Sequence, residues 1–128
     1  MKKRFFAVLI VGVVLMLALT ACGAVSDISS VGDTGKAFMA AMESQDSTAS
    51  WDLMMPELQT DIGTFEAWDE YVQSVVFTES KFNSTSIENE TGYMEGTAIV
   101  DTDTYAISLV FDKVDTAWML SGLNIELQ

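Results

Sequence analysis

From Tyr105 to Asp112 the chain alternates. Tyr105, Ile107, Leu109 and Phe111 stand on one phase, and Ala106, Ser108, Val110 and Asp112 on the other. That is the two-residue period of a strand with one buried face. Tyr93 to Val100 repeats the pattern: Met94, Gly96, Ala98 and Val100 share one side, Tyr93, Glu95, Thr97 and Ile99 the other. Lys81 to Glu88 is rich in Ser and Thr, with Phe82 and Ile87 its large apolar residues, and predicts a strand with one wet face. In the last strand Trp118 and Leu120 lie on one phase and Leu123, Ile125 and Leu127 on the next. A bulge at Ser121-Gly122 would bring all five to the core side. Turns are expected over Asn89 to Gly92, Asp101 to Thr104 and Lys113 to Thr116.

Before Phe77 the period is helical. Phe65, Trp68, Val72, Val75 and Val76 form one apolar stripe, with Thr64 placed to cap it and Glu66 in the first turn, while Asp69, Glu70 and Gln73 fall on the wet side. Val31, Phe38 and Met42 share a face with Ala37 and Ala41 beside it, which predicts a helix over about Val31 to Ser44. Asp46 or Ser47 can cap a second, short helix through Trp51 and Leu53, and Pro56 ends it or opens the next turn. Leu58 and Ile62 then form a weak apolar link. Helices first and strands afterwards predict an α+β domain: about three N-terminal helices packed on one face of a four-stranded antiparallel meander. Trp68, Val72, Phe111, Trp118 and Leu120 are the expected core.

The first thirty residues follow neither period. Lys2, Lys3 and Arg4 precede an uncharged apolar run from Phe5 to Leu19, the basic start and apolar middle of a secretory signal. Fifteen helical residues span about 22 Å, short of the ~30 Å hydrocarbon core of a bilayer. The run closes on Leu19-Thr20-Ala21-Cys22, which resembles the bacterial lipobox. That resemblance implies cleavage before Cys22 and acylation of its sulfur. It also accounts for the single cysteine in a chain with no partner for a disulfide. The implied organisation is a signal peptide over 1–21, a flexible tether over 22–30 and one domain over 31–128. Gly23 occupies the position after the cysteine where an Asp would signal inner-membrane retention. The implied address is therefore the extracytoplasmic side of the cell membrane, on the outer membrane if the cell has two.

Charge sharpens this picture. All nineteen acidic residues follow Cys22 and only Lys36, Lys81 and Lys113 oppose them, a formal charge of −16 for the chain from Cys22 onward. Such a surface repels nucleic acid and anionic lipid and excludes a nucleic-acid partner. The chain has no histidine, so no imidazole base or metal ligand exists. Asn83-Ser84-Thr85 and Asn89-Glu90-Thr91 match the glycosylation triplet, which is silent in most bacteria. Asp101-Thr102-Asp103 with Asp112 outlines a calcium-loop spacing, but Tyr105 takes a ligand position and Ala106 replaces the turn glycine, so a hairpin turn is expected instead.

Ala40-Ala41-Met42-Glu43-Ser44-Gln45-Asp46, Thr64-Phe65-Glu66 and Trp118-Met119-Leu120 carry a further resemblance. Together with the helix-then-strand order they resemble the cystatin-like, SnoaL-like superfamily that includes nuclear transport factor two and ketosteroid isomerase, and within it small bacterial lipoproteins. The resemblance implies a curved sheet and helices around a cone-shaped pocket, which is catalytic in some members and filled in others. Trp51, Trp68, Tyr71, Gly96, Ala98 and Tyr105 are the candidate lining of such a pocket, against the simpler reading of aromatic core and close packing. Isomerase chemistry needs an inward carboxylate base, and no Asp falls on an inward phase. The expected function is therefore a non-catalytic module, held at the membrane through acylated Cys22, that binds a small molecule or an envelope protein and needs no cofactor. The alternative is a small pocket enzyme, an isomerase, dehydratase or hydrolase.

Overall fold

The computed structural model describes residues 27–128; the signal run and Cys22 lie outside them. Helix α1 covers 27–43, so residues 27–30, whose polar composition reads as tether, are its first turn. Helices α2 (Ser47–Asp52), α3 (Pro56–Ile62) and α4 (Phe65–Ser74) follow. The Asp46 side chain accepts from Ala49 N at 3.1 Å and the Thr64 hydroxyl accepts from Ala67 N at 3.2 Å, so both expected caps form. The expected three helices are four. Leu58 and Ile62 belong to α3, a short helix opened by Pro56 in its first turn, where the missing N–H costs nothing.

Four strands form one antiparallel meander in the order β1-β2-β3-β4: β1 (Phe77–Glu88), β2 (Thr91–Val100), β3 (Asp103–Val114) and β4 (Ala117–Leu127). Two-residue loops join them, tightened by left-handed Asn89, Glu90, Asp101 and Asp115. The expected bulge is present. Val110 pairs with Gly122 and Phe111 with Leu120, which leaves Ser121 as the extra residue. Strand β1 starts four residues earlier than its Ser/Thr-rich stretch and carries two further irregularities, at Thr78 and Asn83.

The helices cover one face of the sheet. Phe38, Met39 and Met42 of α1 and Trp68 and Val72 of α4 meet Met94, Ala98, Ile107, Leu109, Phe111, Trp118 and Leu120 in a single buried cluster. All five expected core residues are in it. Gly35 lies inside α1 because a Cβ there would fall 2.2 Å from Met94 Sδ, so the glycine lets the helix settle onto β2. Two expectations fail at the edges. Leu127, the last residue of β4, keeps the inward phase opposite Tyr105 but is 63% exposed. Val75 caps α4 in an extended conformation and Val76 lies beyond it, 47% exposed, so the helical stripe stops at Val72.

Candidate functional site

The residues read as pocket lining divide between three places. Trp68 packs between Phe38, ring centroids 6.3 Å apart, and Tyr71, 5.4 Å apart. Its indole N–H donates to the buried Ser50 Oγ at 2.8 Å, and that hydroxyl donates to Ser47 O at 3.0 Å. The bond satisfies a buried indole N–H, and the pair fastens α4 to α2. Tyr71 is one turn further along α4 and 38% exposed. Burial, with the Tyr105 phenol as the second cause, pushes the Tyr71 hydroxyl above the ordinary tyrosine range. Ala98 faces Tyr105 across the β2–β3 ladder, so Trp68, Tyr71, Tyr105 and Ala98 gather at one end of the sheet. There Trp68 and Ala98 are core, and the two tyrosines form its partly exposed rim.

Trp51 and Gly96 belong elsewhere. Trp51 packs edge-on against Phe65 at 5.8 Å, on the α2–α4 side. The space above Gly96 is taken by strand backbone: a Cβ there would lie 1.9 Å from the Lys81 carbonyl oxygen, beside the Asn83 bulge. Glycine at 96 thus serves β1 rather than a ligand or a helix.

A polar corner was missed in the sequence. Gln45 takes a left-handed conformation, φ 56°, after the end of α1. Asp46 N donates to Ala41 O and Gln45 N to Met42 O, the two bonds that close a helix C-terminus of this kind. The Gln45 amide then donates to Val72 O at 3.2 Å and Gln73 O at 3.1 Å, and the Gln73 amide returns a bond to Gln45 O at 2.9 Å. The ends of α1 and α4 are clasped by two glutamines. Beside them the Ser47 hydroxyl donates to Asp69 Oδ1 at 2.5 Å, so Asp69 is half-buried and partnered, not simply wet. An open groove of about 600 Å³ follows this corner, lined by Ser44 to Thr48, Phe65, Asp69 and Gln73. Its hydrogen-bonding groups are engaged with one another, which is the arrangement of a structural joint. A second groove, about 530 Å³, runs between Lys36, Glu43 and the Ser80–Asn83 stretch, with Ser80 Oγ donating to Glu43.

The outer face of the sheet, opposite the buried cluster, is covered by none of the described helices. It carries Tyr93, Glu95, Thr97 and Ile99 of β2, paired with Val110, Ser108, Ala106 and Thr104 of β3. Tyr93 is 38% exposed, with Val110 and Gly122 in register beside it. Glu79, Glu95, Asp112 and Glu126 share this face with Lys81, which pairs with Glu79 at 3.5 Å. Thr91 Oγ1 donates to Asp112 Oδ1 at 3.1 Å. The calcium-loop residues do not converge, since Asp103 and Asp112 are nine positions apart on one strand, about 30 Å.

Two solved structures share this fold. The chain is similar to a DUF4783 family protein from Bacteroides uniformis ATCC 8492, with a TM-score of 0.60 at 10% identity over 73% of this chain and 95% of that one. It is similar also to a DUF4783 family protein from Bacteroides ovatus ATCC 8483, with a TM-score of 0.60 at 12% identity over 72% of this chain and 93% of that one. At such identities the likeness concerns the fold alone. No family model and no curated protein matches the sequence.

Proposed function

We propose that this protein is an envelope lipoprotein, anchored through acylated Cys22 on the extracytoplasmic side, whose cystatin-like, SnoaL-like domain is a non-catalytic interaction module. The observation that carries the reading is the uncovered sheet face. Helices bury one side of all four strands, while Tyr93, Glu95, Thr97 and Ile99 stand on the other with small neighbours around a partly exposed aromatic ring. Tyrosine is enriched among the residues that carry binding energy at interfaces, and the contacts around such a residue need contribute little themselves. The tyrosine–tryptophan end supports the same choice, because Trp68 and Ala98 fill the interior there.

Two measurements test the reading. Mass spectrometry of the mature protein is expected to find acylated Cys22 as its first residue, and Cys22→Ser to abolish membrane partition; unchanged partition refutes the anchor. A photo-crosslinking amino acid at Tyr93 or Thr97, in the full chain in cells, is expected to trap one discrete partner, and the same group at Asp61 of α3 to trap none. Equal trapping at all three positions refutes the sheet face as the interface.

A further inference from the structure

Resting on the lipid-anchor reading above, we infer that the domain stands end-on at the membrane. The hairpin turns at Asn89-Glu90 and Asp115-Thr116 face the bilayer, and the turn at Asp101-Thr102 points away from it. The first support is where α1 begins. Asp27 pairs with Lys113 at 3.2 Å, and Val31 lies under Gly92, so the helix starts at the end of the sheet that carries those two hairpins. The C-terminal side of α1 has crossed to β1, where Glu43 accepts from Ser80, opposite Ala98.

The second support is length. Five residue steps separate Cys22 from Asp27, and at ~3.3–3.6 Å each they reach at most about 18 Å. Strand β3 has twelve residues, about 40 Å, so the Asp101-Thr102 turn lies well beyond that reach while the hairpin end lies within it.

The third support is charge acting on a body held at one end. Nineteen carboxylates against three lysines are repelled by an anionic leaflet, and the repulsion falls off within a Debye length of about 8–10 Å. Lying on the outer sheet face would bring Glu79, Glu95, Asp112 and Glu126 into that layer together. A pivot at the start of α1 converts the repulsion into a torque that lifts the far end. The strands then run along the membrane normal, and the uncovered face stays clear of lipid along its whole length.

Energy transfer in vesicles of phosphatidylethanolamine and phosphatidylglycerol tests this. Acylation consumes the Cys22 thiol, so in the mature lipidated chain a cysteine at Glu90→Cys or Thr102→Cys takes the donor label alone. With an acceptor on the lipid headgroups, transfer from position 90 is expected to exceed transfer from position 102 severalfold. High salt should narrow the gap, and a long Gly/Ser insertion between residues 26 and 27 should close it. Equal transfer at low salt, or more from position 102, overturns the orientation. Flotation separates the two ways of failing. A chain that does not float with the vesicles refutes the anchor and the orientation built on it. A floating chain with equal transfer keeps the anchor and refutes the orientation alone.

Discussion

Phe111 and Val110 are neighbours on β3 and face opposite worlds. Phe111 is 0% exposed beneath α1, near Met94 and the Gly35 contact. Val110 points to the face that none of the described helices covers, between Tyr93 and Gly122. The covered face is over-determined: helix, glycine contact, bulge and large apolar side chains all require one another there. The uncovered face keeps the same alternation with mostly polar and small residues, together with Ile99, Val110 and one tyrosine, and little in the fold demands those particular residues. A residue on the first face is constrained by stability. A residue on the second is free to be chosen for a partner.

Substitutions can break that contrast or sharpen it. Phe111→Ala removes a fully buried ring and is expected to cost about 3–5 kcal/mol in denaturant unfolding. A loss under about half a kcal/mol would mean the two faces do not differ as described. Gly96→Ala adds only a methyl, but against the Lys81 carbonyl, and should cost about 1–3 kcal/mol through displaced β1 backbone. A neutral result would show that β1 yields easily. Thr64→Ala removes the α4 cap and should lower stability by about 1 kcal/mol by the same measurement.

Tyr71 gives a pH test. Its folded pKa is raised, so folding is favoured while the phenol is neutral, and that contribution is fully present below the unfolded value of about 10. It is lost as pH rises through the folded pKa. Ultraviolet titration should show a phenolate component above pH 10 that Tyr71→Phe removes. Persistence of that component in Tyr71→Phe would assign it to another tyrosine. At the small end, Tyr93→Ala on the open face should change stability by less than about 0.5 kcal/mol while abolishing partner trapping from Thr97. A large stability loss at Tyr93 would make the open face structural and remove the contrast.

Much of this arrangement was legible in the alternation of residues 93–112. Period two assigns each side chain to a face without knowledge of what covers it, and the phase break after Leu120 located the bulge at Ser121-Gly122, which the register narrows to Ser121. Thr64 was readable, and Asp46 as one of two candidates with Ser47, because a cap acts within three residues of itself. The charge excess is likewise local and additive, a sum over single residues. The glutamine clasp was not readable, since Gln45 and Gln73 lie 28 residues apart and nothing in either neighbourhood requires a left-handed glutamine.

Gly96 gives the same lesson in another form. The sequence determined that a strand carried a glycine on its inner phase, and only the path of β1 decided that backbone, rather than a ligand, lies over it. Likewise Trp51, Trp68, Tyr71 and Tyr105 announced themselves as large aromatic residues, and their sorting into an α2–α4 contact, a core ring and an exposed rim depended on how the helices cross the sheet. Element type and facing follow from neighbours a few residues away. Proximity between elements depends on the packing of the whole chain, which no short window contains.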